Sequence, residues 1–434
     1  MSPVFSTSAS AIRLPRSSLR PTRLLHFKTL LGVIGLGLGA AVAFAQPSPR
    51  LVVTVSNPLT AIPRPSEMIA VPWSEIEHAL PGALLQHLAV HDAQGHDLAF
   101  QVTNDNPLAK DIHNLGLGYG DLLFQHDFSK GEKSAVFTIE KIDHVAPVFP
   151  QKTYARYIPE RFDDFAWEND KIGHRAYGQA LSIRSVAGGE YLVSSGIDVW
   201  CKRVPYLIVD RWYNKGHNHY HTDEGEGMDM YNTGSTRGCG GTGIWDGHTL
   251  AVSANYTSWK ILANGPIRTV FELSYAPWEA HGVRVTETKR FTVDAGHNLD
   301  RIQSTFRIVS GSASSLDVAI GLNKNSADKG QDPQTSLTKL AEAGALAQWC
   351  IQKTNGSLGT AVIVPGPEFA GYASDAHNDL VLTHVVPGRA ITYYAGAGWS
   401  KAGEFTSAKA WNAYVANCAA CIRAPLVVSY SVSQ

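Results

Sequence analysis

Val283 to Val309 reads VRVTETKRFTVDAGHNLDRIQSTFRIV. Two long, Thr-rich, partly alternating runs, Val283 to Val293 and Asp300 to Val309, flank Asp294-Ala295-Gly296-His297-Asn298. Alternation sends successive side chains to opposite faces of a strand, and Asp, Gly and Asn between two such runs supply turn chemistry, so the stretch predicts a long antiparallel hairpin. Downstream, Trp349 to Lys353 and Thr360 to Val364, joined through Asn355-Gly356-Ser357, predict a second hairpin. Upstream, Leu51 to Val55, Leu98 to Val102 and Ala135 to Ile139 read as strands of a small β module that ends at the stiff Val145-Ala146-Pro147-Val148-Phe149-Pro150. Helical period occurs in one segment, where Ala408, Trp411, Val415, Cys418 and Ile422 recur behind a candidate cap at Ser407 and before Pro425. Leu426 to Val432 reads as a final strand. The expected fold is therefore mainly β: a large antiparallel β-sandwich over residues 151–434, a small N-terminal β module over 46–150, and one C-terminal helix.

The first 45 residues read as an export signal. Arg13, Arg16, Arg20, Arg23 and Lys28 precede an uncharged run from Leu30 to Phe44 that ends in Ala43-Phe44-Ala45. That run is short for a membrane span, so the expectation is cleavage near Ala45, no stable membrane insertion afterwards, and a periplasmic or secreted location. Beyond it, 44% hydrophobic and 17% charged residues fit an ordinary globular core. A formal net charge of -1 lacks the basic field that phosphate backbones require, which argues against a nucleic-acid partner. Five cysteines are too few and too scattered for a disulfide scaffold; Cys418-Ala-Ala-Cys421 has no second CxxC beside it, and the cysteines are read as small core residues.

Chemistry-bearing residues concentrate between Ile158 and Trp245. In an extended chain His217, His219, His221 and Asp223 project to one side. With Glu226 these residues offer nitrogen and carboxylate ligands for a divalent metal, zinc or calcium. Alternate residues on a straight strand lie about 6.5 Å apart, so sharing an ion requires a bend, which Gly225 and Gly227 permit. The competing readings are a metal-free catalytic loop and a solvated surface loop. A second concentration holds Arg161, Asp163, Asp164, Glu168, Asp170, His174 and Arg175, interleaved with Phe162, Phe165, Trp167 and Tyr177. Carboxylates, guanidinium groups and flat rings together suit a sugar site, and they also suit salt-bridge networks. Lys202 with Arg203, and Arg211 with Trp212, stand where strands should end, facing either a cleft or an edge that charge protects. Arg237 lies in a glycine-rich loop without the ending of a phosphate loop, so no nucleotide cofactor is expected, and no Gly-x-Ser-x-Gly elbow appears in the main domain.

Pro159-Glu160-Arg161, Asp163 to Asp170, Ser195-Gly196-Ile197-Asp198-Val199-Trp200, Gly225-Glu226-Gly227-Met228-Asp229 and Asn264-Gly265-Pro266-Ile267-Arg268 carry a resemblance that spans most of the mature chain. Tyr275-Ala276-Pro277-Trp278, Glu287-Thr288-Lys289-Arg290 and Gly396-Ala397-Gly398-Trp399-Ser400 extend it. The chain resembles an exported bacterial family catalogued as domain of unknown function 4861. The resemblance implies the large β-sandwich shared by aldose mutarotases and several polysaccharide lyases, and the company of pectin-degrading enzymes. It implies no catalytic residues.

The function expected is that of an exported carbohydrate-active protein whose partner is an acidic, uronate-containing oligosaccharide or polysaccharide, with β-elimination as the leading reaction. Elimination needs a cation for the carboxylate, a base for the C5 proton and an acid for the leaving oxygen. Candidates are Arg175, Arg203 or Arg237 for the carboxylate, His219 or His221 for the proton or a metal, and Tyr220 or Tyr231 for the leaving group. Asp163, Asp164, Trp167, Glu168, Asp170 and Trp212 are the candidate substrate contacts. A glycoside hydrolase or sugar epimerase and a non-catalytic glycan binder are the alternatives.

Overall fold

The computed structural model describes residues 48–105, 119–327 and 330–433; the expected export signal, residues 1–45, lies outside the described residues. Val283–Asp294 and Leu299–Ser310 pair antiparallel, with Phe291 opposite Ile302 and Thr292 opposite Arg301, so the expected hairpin forms around the Asp294 to Asn298 turn. It supplies the third and fourth strands of an eight-stranded antiparallel sheet. Ala345–Gln352 and Gly356–Ile363 make the second expected hairpin in the same sheet.

Two five-stranded sheets cover the inner face of this sheet. One runs Gly227–Asp229, Ile197–Lys202, Ile172–Ala176, Asp164–Glu168, Tyr154–Ile158, and the other centres on Cys239–Trp245, Leu316–Asn323 and Asn378–Val385. A bridge between Ile197 and Gly238 links the two. Phe165, Trp167, Val199, Phe271, Phe291, Phe306 and Tyr393 fill the space between layers. The antiparallel sandwich is thus as expected, with one departure inside the strand that decides the fold. Its inward positions Val283, Val285, Phe291 and Val293 are apolar, but Glu287 and Lys289 between them also point inward and are buried. They pair with each other, and both meet Thr242 Oγ1, the ammonium at 2.6 Å. A buried charge is tolerated only when paired and hydrogen-bonded, which this trio achieves.

The N-terminal module has its own core, including Val53, Phe124, Phe137 and Ile139. Its first strand, Arg50–Ser56, pairs along its whole length with the last strand of the chain, Val427–Ser433. The division at residues 150 and 151 placed that last strand with the sandwich; the structure places it in the N-terminal sheet. The helix Ala408–Arg423 begins where expected, with the Ser407 side chain accepting from the Ala410 N–H, and buries Trp411, Val415 and Ala419. Trp411 lies directly over Gly359, where a Cβ would come within 2.5 Å of the indole, so only glycine fits there. None of the five cysteines is joined in a disulfide, and Cys201, Cys239 and Cys350 are buried. Among the described residues no helix is long and apolar enough to cross a membrane.

Replacing Lys289 by Met strands the Glu287 carboxylate in the core. Urea denaturation is expected to show a loss of about 3–5 kcal/mol, and Glu287→Leu combined with Lys289→Met is expected to recover most of it. An unperturbed single variant would contradict the pairing.

Candidate functional site

The strands Asp164–Glu168, Ile172–Ala176, Ile197–Lys202 and Gly227–Asp229 are buried on both faces. Phe165, Trp167, Ile172, Val199 and Met228 face the sandwich core. By the period of two, Asp164, Arg175, Asp198, Trp200, Lys202 and Asp229 face the other way. A plug covers that face: the short helices Val209–Lys215 and His217–Tyr220 pack Trp212, Tyr213 and Tyr220 around Trp200, with ring centroids 5.2, 5.0 and 5.0 Å away. Glu168 holds the plug. Its carboxylate takes the Lys202 ammonium at 2.6 Å and the backbone N–H groups of Ile208 and Val209 at 2.7 Å.

At the edge of the plug the polar side chains converge on Arg175. Its Nη2 lies 2.6 Å from Asp198 Oδ2 and 3.4 Å from Asp229 Oδ2, and its Nη1 lies 3.8 Å from Asp164 Oδ2. The Asp198 contact is a charge contact without hydrogen-bond alignment, since that oxygen has no hydrogen-bond partner. The three carboxylates around it hold the guanidinium pKa well above its ordinary value against the opposing effect of burial. Burial pushes Asp164 up to about 7 although Arg175 and the Gly178 N–H pull it down.

Tyr220 Oη sits between Arg161 Nε at 3.2 Å, Arg175 Nη1 at 3.5 Å and His217 Nδ1 at 2.7 Å. Guanidinium N–H groups only donate, so they occupy the two lone pairs of Tyr220 Oη and leave its own proton for His217 Nδ1. His217 therefore accepts at Nδ1 and, when neutral, carries its proton at Nε2. His221 has the opposite arrangement. Its Nδ1 lies 3.1 Å from the main-chain oxygen of Asp229. A carbonyl only accepts, so His221 Nδ1 is protonated and, in the neutral ring, Nε2 is bare. The two rings are 4.9 Å apart. Burial, with the positive charges of Arg161 and Arg175, keeps His217 below the usual imidazole value. Burial raises the Tyr220 phenol although both guanidinium groups lower it. At neutral pH both groups of the His217–Tyr220 couple are accordingly uncharged.

Of the residues selected from sequence, the fold brings together Arg175, Tyr220, His221, His217 and Asp164, and disperses the rest. His219 is exposed and meets Glu224 at 3.1 Å. The expected extended run is instead a helical turn followed by a bend, in which residues four apart share a face, so His217 and His221 approach while His219 points elsewhere. Asp223 pairs with Arg203, and Glu226 is held by Arg211 at 2.5 Å, Tyr206 at 2.9 Å and Trp212 at 3.2 Å. His217, His219, His221, Asp223 and Glu226 thus do not converge, and among the described residues no three His, Cys, Asp or Glu side chains are placed to hold a metal ion. Tyr231, Trp167 and Trp212 are buried packing residues, and the Trp167 Nε1–H donates to Asp300 at 2.7 Å. Arg237 is buried against Ser195 Oγ and the Thr242 carbonyl. Asp170 accepts from the Gly296 N–H, Asp163 accepts from the Tyr157 hydroxyl, and Arg203 lies over Trp399 at 5.8 Å. Asp198, Asp229 and Glu190, the partner of Arg161, belong to the site without being among the residues that the sequence singles out. For the first two a signal existed, because both lie in motifs that carry the family resemblance.

The fold and the site define a mainly β sandwich protein with a Tyr-His-Arg centre on one sheet face. The chain belongs to the family described as Domain of unknown function (DUF4861), which matches residues 55–428. It is 31% identical to Uncharacterized protein P7 of Formosa agariphila over 399 residues, 88% of this chain and 94% of that one. Among solved structures it is similar to a protein in the glycosyl hydrolase family 38 from Enterococcus faecalis, with a TM-score of 0.44, 9% identity and 88% of this chain covered. It is also similar to an alpha-mannosidase from Enterococcus faecalis V583, with a TM-score of 0.41, 8% identity and 89% covered. The chain spans about half the length of those two structures, 47% and 46%.

The folded pKa of Asp164, about 7, exceeds its ordinary value of 3.8. Between those values the folded state holds a proton that the unfolded state has lost, so this group makes stability fall as pH rises through the window. Asp164→Asn is expected to flatten that part of the stability profile; a slope identical to the parent protein would remove Asp164 as its source.

Proposed function

We propose that the protein is an exported enzyme, periplasmic or secreted, that cleaves a uronate-containing, pectin-like glycan by β-elimination. The observation that supports this reading is the pair of neighbouring imidazoles with opposite tautomers, His221 bare at Nε2 and His217 protonated at Nε2, the latter backed by the Tyr220 hydroxyl. His221 Nε2 takes the C5 proton, the electron pair forms the C4–C5 double bond, and the C4–O bond breaks. The leaving oxygen takes the proton from His217 Nε2, and Tyr220 passes its own proton to His217 Nδ1. The resulting phenolate faces Arg161 and Arg175, which stabilise it electrostatically.

Elimination also requires a cation at the uronate carboxylate. Arg175 is enclosed by carboxylates, whereas Arg161 ends in an ion pair with Glu190, whose side chain is 46% exposed. The substrate carboxylate takes the place of Glu190 on Arg161. Hydrolysis by two carboxylates fits less well, because Asp164, Asp198 and Asp229 are buried around Arg175. The same imidazole pair also suits opening of a sugar ring by an epimerase or mutarotase, which is the second reading.

Incubation with oligogalacturonates, followed by ultraviolet absorbance and product mass, decides among these. The expected outcome is a conjugated unsaturated product without added water, a rate unaffected by chelator, and a fall of about 10²–10⁴-fold in kcat for His221→Ala and Tyr220→Phe. A mass gain of water without absorbance means hydrolysis, an unchanged mass with a new anomer or epimer means the second reading, and binding without turnover means a glycan-binding protein.

A further inference from the structure

On the opposite face of the eight-stranded sheet a cleft of about 730 Å³ opens between the sheet, the N-terminal module and the helix Ala408–Arg423. Its floor is set by register. Thr292, Arg301 and Tyr394 are cross-strand neighbours on three adjacent strands, which places a guanidinium between a hydroxyl and a phenol on one face. Three other cations line the cleft, and each already has a carboxylate: Arg64 with Glu67 at 2.9 Å, Lys171 with Glu404 at 2.9 Å, and Arg268 with Asp294 at 2.6 Å. Arg301 has no ion-pair partner among the described residues. The carboxylate of Asp127, also in the lining, accepts the Ser66 N–H at 2.6 Å. Tyr414 and Asn417 project from the helix side.

We propose that this cleft is a second, non-catalytic site for an acidic oligosaccharide, with Arg301 taking a uronate carboxylate and Tyr394 lying beside the sugar ring. The volume lies within the range of small-ligand pockets, and sites of this kind form preferentially at boundaries between modules. Bidentate capture of a carboxylate suits a guanidinium that has no carboxylate partner, and the face of an aromatic ring suits the apolar face of a pyranose. The ligand class rests on the reading of the protein as acting on acidic glycans; the site itself is built from different residues.

Methionine methyl NMR separates the two sites. The chain has four methionines, of which Met68 lines the cleft and Met228 adjoins Asp229 on the opposite side of the sandwich. Trigalacturonate titrated into the full-length His221→Ala protein is expected to shift the Met68 methyl. Arg301→Glu, at an exposed position, is expected to weaken that response at least tenfold with the Met228 signal of the free protein unchanged, and Arg301→Lys to retain part of it. A Met68 signal that does not move, or that responds equally in Arg301→Glu, overturns the proposal. Arg301-dependent binding with no unsaturated product from the parent protein sustains the cleft and overturns the elimination reading; unsaturated product with an Arg301-independent Met68 signal does the reverse.

Discussion

The buried guanidinium of Arg175 is the constraint around which the site is arranged. A cation removed from water needs charge and hydrogen-bond partners supplied by the fold, and here they come from three different strands as Asp164, Asp198 and Asp229. Those strands hold their relative register because the sandwich core fixes their other face. Tyr220 then has one position in which its hydroxyl meets Arg175, Arg161 and His217 together. The proton positions on the two imidazoles follow from the partners of their Nδ1 atoms, without any property of the histidines themselves.

The plug serves the same end from above. Without the helices Val209–Lys215 and His217–Tyr220, Trp200 and the carboxylates would face solvent, and the dielectric that strengthens the charge contacts would be lost. Glu168 ties the plug to the sheet through two backbone N–H groups and Lys202. A residue that reads in sequence as a sugar contact is therefore the anchor of the cover under which the site is built.

Much of the fold was legible in the sequence where local pattern carries the information. The Val283 to Val309 hairpin announces itself by alternation and turn residues, and the late helix by its period and its Ser407 cap. Glu287 and Lys289 were not legible as core residues, since nothing local says that two inward charges will find each other and Thr242. The plug escaped because its helices, seven and four residues long, are too short to show a period. The His217 to His221 stretch alternates like a strand while folding as a turn. Among site residues, Arg175, Tyr220 and His221 could be named from residue chemistry. Trp167, Trp212, Tyr231 and Arg237 have the same chemistry and are buried in packing roles, a distinction that depends on long-range contacts.

The closure of the N-terminal sheet by the last strand bears on how the chain is made. Thr54 and Ser429 are 375 positions apart, yet they meet in the same ladder. The edge of Arg50–Ser56 stays open until Val427–Ser433 has been made, and an open strand edge is a template for pairing with other chains. Contacts of such separation form late and slowly. The N-terminal sheet thus closes only after the segments of the sandwich that lie between its two outer strands in sequence have been made.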